Sequence, residues 1–156
     1  MTYSNIEPAT ALDSDEIAEL YNIVWTPYRK EFPKDLMDNR IPSPERVAGS
    51  MESNDYYVWR EEGKILGVVR VQFPHGTCHL DRMVLHPEHR GRGIGKKLTQ
   101  HIIDLAREKG ASKVWLDTTP ALETATKLYL SMGFKEVGFF KKHYWNQDIK
   151  FYELIL

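Results

Sequence analysis

Apolar positions along this chain change period several times, and each change marks an element. Ile17, Leu20, Ile23 and Val24 recur at helical spacing behind Asp13-Ser14-Asp15-Glu16, a run whose side chains suit a capped helix start. From Thr26 to Glu45 the prolines Pro27, Pro33, Pro42 and Pro44 forbid one long element. They predict loop, a short helix near Lys34 to Asn39, and another from Pro44 to Met51. Tyr56 to Arg60 and Lys64 to Phe73 then flank Glu61-Glu62-Gly63, which predicts a hairpin, and a third strand runs from Thr77 to Leu85, ending at His86-Pro87. Ile94, Leu98, Ile102 and Leu105 follow at spacings of four, four and three, a helix with one buried stripe that Gly110 stops. Lys113 to Thr118 reads as a buried strand. A helix from Leu122 to Met132 is expected to bury Ala125, Leu128 and Met132 and to stop at Gly133. Two strands, Glu136 to Tyr144 and Ile149 to Ile155, complete the pattern. The sum is one mixed α/β (α+β) domain over residues 1–156, a single sheet with helices packed on it.

Composition narrows the chemistry mainly by exclusion. A formal net charge of −1 argues against a broad nucleic-acid or membrane surface but leaves room for a local basic pocket. One cysteine, Cys78, allows neither an internal disulfide nor a cysteine zinc cage, and its place beside Leu80 on an apolar strand face predicts a buried structural thiol. His75, His79, His86, His89, His101 and His143 show no ligand spacing with carboxylates, so no metal is expected. Met1-Thr2-Tyr3-Ser4-Asn5 lacks the basic flank and apolar stretch of a signal peptide, and nothing reads as a membrane span, so a cytoplasmic protein is expected.

One stretch changes the picture. Arg90-Gly91-Arg92-Gly93-Ile94-Gly95-Lys96-Lys97 lies between the third strand and the amphipathic helix. Glycines at a helix start let backbone N–H groups converge on phosphate oxygens, and four cationic side chains in eight residues add the matching charge. A phosphate-bearing cofactor follows. Two nucleotide readings fail on residues. The spacing is G-x-G-x-G rather than G-x-G-x-x-G, and Lys113 and Val114 stand where an acidic ribose partner belongs. A P-loop fails too, because Gly95-Lys96 has no glycine at position 90 and no hydroxyl at position 97.

The loop does match R-x-x-G-x-G through Arg90, Gly93 and Gly95. With Leu85-His86-Pro87-Glu88-His89 before it and Leu128-Tyr129-Leu130-Ser131-Met132-Gly133-Phe134 after it, the chain resembles the GNAT superfamily of acetyl-CoA-dependent N-acetyltransferases. The resemblance covers about Tyr56 to the C-terminus. The earlier Trp25, Tyr28 and Pro33 are loosely similar to a subgroup that includes polyamine acetyltransferases. The resemblance implies a mostly antiparallel central sheet with helices on both faces. It also implies transfer of acetyl from acetyl-CoA to a primary amine by direct attack. The amides from Gly91 to Lys97, Ile94 included, would hold the pyrophosphate, with charge from Arg90, Arg92, Lys96 and Lys97. Met83, Val84 and Leu85 would form the strand edge for pantetheine, and an N–H near Met83 would bond the thioester oxygen. Tyr129 stands where the family places the acid that protonates the leaving thiolate. Leu122 occupies the position of an asparagine found in several relatives, with Thr119 a candidate substitute.

A base is needed because an amine of pKa about 10.4 is neutral in only about one molecule in 2,500 at pH 7, a cost of about 4.6 kcal/mol. His79 and Asp81 alternate onto one strand face. By resemblance His79 is the first candidate and Asp81 the second. The acceptor is a small-molecule amine, polyamine or peptide amine, in a pocket built from residues 20–50 and the final strands. Glu31, Asp35, Asp38 and Glu45 make a cationic acceptor plausible, and Trp25, Tyr28 and Phe32 are candidates to wall the pocket. Lys141-Lys142-His143 reads as a solvated strand edge, and a homodimer is allowed but not specified. The rival readings are a non-catalytic acyl-CoA-binding or sensor module and a nucleotide-binding protein.

Overall fold

In a computed structural model, residues 5–156 are described. Strand β1 (Ile6–Pro8) leads into helix α1 (Ser14–Trp25), followed by α2 (Lys34–Arg40) and α3 (Pro44–Ser50). The hairpin of β2 (Asp55–Glu61) and β3 (Lys64–Gln72) turns at Glu62 and Gly63, whose φ angles of 49° and 77° are the pair of positive values that a tight hairpin needs. Then come β4 (Cys78–Leu85), α4 (Ile94–Glu108), β5 (Lys113–Thr118), α5 (Glu123–Ser131), β6 (Lys135–Tyr144) and β7 (Gln147–Ile155). The strands form one seven-stranded sheet in the order β1-β2-β3-β4-β5-β7-β6. Every pairing is antiparallel except β4 with β5.

Alternation along the central strands splits the core in two. On β3, Ile65 and Val68 face the layer of α1, α2 and α3, while Leu66, Val69 and Val71 face α4. Ile94, Leu98 and Ile102 of α4 are fully buried against that second face, each burial contributing roughly 1.5–3 kcal/mol. Helices therefore cover both faces of the sheet. No described helix is long and apolar enough to cross a membrane.

Three local readings need correction, and one strand was missed. β1 was not legible, because three residues including Pro8 are too short to show a period. Ile23 is 36% exposed, and Tyr21 takes the buried position instead. Asp13 does not cap α1; its carboxylate accepts from the Thr10 N–H at 2.9 Å and from Arg60 at 2.8 Å. On α5 the buried side chain is Tyr129, while Ala125, Leu128 and Met132 are only partly buried. Residues 1–4, on which the signal-peptide expectation falls, lie outside the described residues.

What positions the site is the place where β4 and β5 part. Their parallel register holds only for Cys78 with Val114 and His79 with Trp115. Beyond it β4 runs on to Leu85 and β5 to Thr118 without pairing. A wedge opens in the middle of the sheet, exposing unpaired strand edges.

Candidate active site

Between the register pairs Val68–Val84 and Arg70–Asp81, β3 contributes one residue and β4 two, Arg82 and Met83. That bulge is accommodated by Arg82 at φ 53°, a left-handed conformation that costs about 1–3 kcal/mol and persists only where surroundings enforce it. They do. The buried Tyr21 hydroxyl donates to the Arg82 carbonyl at 2.8 Å, and Arg82 donates from Nη1 and Nη2 to the Asn39 carbonyl and Oδ1, each at 2.7 Å. Helices α1 and α2 thus hold the bulge from one side. Tyr21→Phe leaves that carbonyl unpaired inside the protein, and is expected to cost about 1–3 kcal/mol, read as a lower midpoint in urea unfolding.

The wedge opens into a cavity of about 300 Å³, bounded by α1, α2, α5 and the β6–β7 turn. Tyr129 lines it, packed edge-on against Phe134 at 5.6 Å between centroids, and its hydroxyl makes no hydrogen bond among the described residues. Burial, and secondarily the negative charge of Asp81, raise its pKa above the ordinary phenol value. The phenol therefore keeps its proton at neutral pH.

His79 lines the same cavity, stacked on Trp115 at 3.9 Å with 14° between planes. Its Nε2 is buried, has no hydrogen-bond partner among the described residues, and lies 3.7 Å from Asp117 Oδ1. Asp117 Oδ2 accepts from the Tyr144 hydroxyl at 3.1 Å. Burial alone would raise the Asp117 carboxyl. The neighbouring His79, the Tyr144 hydroxyl and the Arg40 charge outweigh it and hold the carboxyl below its usual range. Asp117 is thus an anion that can orient His79 and stabilise it when it takes a proton. Asp81 is placed differently: Arg70 Nε and Nη2 bond its two oxygens at 2.7 Å and 2.5 Å, leaving neither free to act alone.

The glycine loop performs three separate jobs. Gly91 and Gly93 hold φ 80° and 79°, and added Cβ atoms there would meet nothing within 4 Å. Gly93 caps α4 with no side chain, so the amides of Ile94, Gly95 and Lys96 stay open, the first bond running from Lys97 N–H to the Gly93 carbonyl. Gly95 is instead a packing glycine, since a Cβ would lie 3.1 Å from Leu85 and 3.3 Å from Leu128. Of the four cations, Arg92 is turned away onto Glu61, at 2.6 Å and 3.1 Å, with His89 Nδ1 2.9 Å from it. Lys97 sits 5.3 Å over the Trp59 ring. Arg90 and Lys96 are exposed and make no ion pair among the described residues. Of the strand residues, Met83 and Val84 line the cavity, whereas Leu85 packs toward Gly67 and Gly95.

Residues 17–134 match the sequence model of the Acetyltransferase (GNAT) family. The chain belongs to the GNAT family. It is 36% identical to N-acetyltransferase 8B of Mus musculus over 107 residues, 64% of this chain and 46% of that one. An uncharacterised N-acetyltransferase of Schizosaccharomyces pombe is 35% identical over 115 residues, 69% of this chain and 70% of that one. The chain spans about half the length of the N-acetyltransferase 8 relatives it matches. Among solved structures, the PaiA N-acetyltransferase of Thermoplasma acidophilum in complex with coenzyme A shares the fold, with a TM-score of 0.81 at 17% identity over 97% of this chain and 98% of that one.

Within this GNAT fold the other sequence candidates divide cleanly. Trp25 and Phe32 line the cavity, and Tyr28 packs behind them at 5.5 Å and 5.9 Å between centroids. Leu122 and Thr119 line it as well. Glu31, Asp35, Asp38 and Glu45 are exposed and lie off its lining. Cys78 is buried, with burial pushing its thiol up to about 12, and takes no part in the cavity wall. The histidine spacing is corrected at one point, where a 3-10 turn brings His86, Glu88 and His89 within 4.8 Å of one another. His86 Nδ1 there accepts the Glu88 N–H at 3.2 Å. Sequence reading missed Asp117, Tyr144, Tyr21 and Arg40. Only Asp117 carried a signal, a carboxylate alternating with Val114 and Leu116 onto the other strand face.

Proposed function

We propose that the chain is an acetyl-CoA-dependent N-acetyltransferase that acetylates a primary amine, working as one catalytic domain. The observation that carries this reading is the wedge between β4 and β5, lined both by a protonated Tyr129 with no hydrogen-bond partner among the described residues and by His79 beside the Asp117 carboxylate. The residues fit the cosubstrate: open amides at Ile94, Gly95 and Lys96 with Arg90 and Lys96 beside them suit a pyrophosphate, and the unpaired edge at Met83 and Val84 suits an amide-bearing arm. Bound acetyl-CoA supplies an electrophilic thioester carbonyl and a thiolate leaving group.

The chain's own residues supply the proton traffic. His79, with its Nε2–H turned to Asp117, accepts on Nδ1 the proton the amine loses as the C–N bond forms. Tyr129 gives its proton to the sulfur as the C–S bond breaks. A backbone N–H at the Met83 bulge would donate to the thioester oxygen as charge develops there. The products are an acetamide and a free thiol, and proton exchange with water resets both side chains. A buried, protonated lone cysteine suits a reducing compartment, and a cytoplasmic setting belongs to the same reading.

Calorimetric titration with acetyl-CoA, with ATP and NAD as controls, followed by thiol release with an amine panel, tests the reading. Binding of acetyl-CoA alone plus amine-dependent thiol release is expected. Binding without release would favour the acyl-CoA sensor, and competition by ATP or NAD would favour a nucleotide protein. Gly93→Val offers a sharper check on the loop. The space is open, so the penalty falls on the backbone, about 1–2 kcal/mol for a side chain at φ 79°. Acetyl-CoA affinity should fall roughly 5- to 30-fold; unchanged affinity would remove the loop from phosphate binding.

A further inference from the structure

Two guanidinium groups line the cavity with no carboxylate hydrogen-bonded to either among the described residues. Arg40 ends α2, and Arg82 is the bulged residue of β4. Both converge on Asn39: Arg82 bonds its carbonyl and Oδ1, and Arg40 reaches Oδ1 only at 3.5 Å. Neither makes an ion pair among the described residues, where the buried Arg82 Nε also finds no acceptor.

The nearby carboxylates do not balance this charge. Asp81 lines the same cavity but has both oxygens on Arg70. Asp117 acts on Arg40 while also serving Tyr144 and His79, so three guanidiniums, Arg40, Arg70 and Arg82, stand here against two carboxylates, Asp81 and Asp117. Burial lowers the pKa of both guanidiniums. That of Arg82 falls to about 10, with the Arg40 and Arg70 charges adding to the effect. Both stay cationic at neutral pH, so the wall keeps an excess of positive charge in a partly desolvated place. Such an excess is costly unless an anion joins it.

We propose that Arg40 and Arg82 form an anion subsite for a carboxylate carried by the acceptor amine itself. The substrate class is then an amino-carboxylate, its amine toward His79 and its apolar body against Trp25 and Phe32. The inference rests on the acetyltransferase reading and gives its acceptor a chemistry. Two physical consequences agree with it. A polyamine would bring further positive charge to this wall, and the four acidic side chains of residues 31–45 that would have drawn it lie off the lining. The same cations disfavour an ammonium, so they help deliver the acceptor as the free amine that attack requires. None of residues 90–97 lines this cavity, which separates the subsite from the phosphate loop.

The test titrates the CoA-saturated protein with N-acetylphenylalanine and N-acetylphenethylamine, which differ only in the carboxylate. The acid is expected to bind at least about tenfold tighter, the gain of a charge-assisted pair. Arg40→Gln is expected to erase most of that preference while leaving CoA affinity in place. Arg40 is the residue to change because Arg82 also holds the bulge. Equal binding, or tighter binding of the carboxylate-free compound, would overturn the proposal. So would an Arg40→Gln variant that loses CoA affinity yet keeps the preference, since the guanidinium would then serve the cofactor's phosphates. Failure of the enzyme reading shows separately as absence of CoA binding, and the same pair titrated into the protein alone still decides the subsite.

Discussion

Tyr129→Phe is expected to lower kcat by about 10²-fold or more while leaving acetyl-CoA affinity nearly unchanged. The argument is geometric before it is electrostatic. The phenol makes no hydrogen bond among the described residues, so its removal leaves no orphaned group behind. The ring keeps its edge-on contact with Phe134, and the α5 turn that bonds the Phe134 N–H to the Tyr129 carbonyl at 3.1 Å does not involve the side chain. A loss confined to kcat therefore reports the missing proton, not a damaged fold. Burial keeps that proton in place beyond the ordinary phenol range. Ionisation of Tyr129 should accordingly produce no alkaline fall in kcat below about pH 10. Thiol release against pH, with calorimetry for affinity, checks both points. Equal rates for the variant and the parent would take Tyr129 out of the reaction.

His79→Ala should produce the second large effect, a drop in kcat/KM of about 10²-fold at pH 7 that shrinks as pH rises. Without a base the enzyme must wait for acceptor that has already lost its proton, and that fraction grows tenfold per pH unit until the amine's own pKa is reached. The slope of the variant's pH profile, steeper than the parent's, is thus the diagnostic. A uniform loss at every pH would mean that His79 serves only to pack on Trp115. Asp81→Asn tests the second base candidate. Arg70 would lose its partner in a part-buried pair, with side chains 18% and 16% exposed, so the change should register as lost stability before it registers as lost proton transfer.

Much of the scaffold was legible because its causes are local. The period-two runs of β2 and β3, the Glu62-Gly63 turn and the stripe on α4 each follow from neighbours a few residues apart, and their bounds fell within one or two residues of the expected ones. What was missed in the scaffold had no local cause to show. β1 is too short for a period, and Tyr21 rather than Ile23 faces inward because an acceptor, the Arg82 carbonyl, waits 61 positions away.

The same division runs through the site. Within the candidate site, the sequence by itself determined where the glycine loop, the strand before it and Tyr129 fall, since backbone freedom at φ near 80° and a phenol at a helix edge are properties of particular residues at particular spacings. Only the tertiary structure decided what each charged group would do. Arg92 was one of four equivalent cations until Glu61, 31 positions away, drew it from the loop. Asp81 and His79 were alike on one strand face until Arg70 closed over the first and Asp117 came up beside the second. Arg40 and Arg82 stand side by side only because both are gathered at Asn39, 43 positions before Arg82. Coulomb forces and desolvation act through space. A residue's charge is written in its sequence, but its partner, its burial and hence its chemistry are set by whatever the fold brings within a few ångströms.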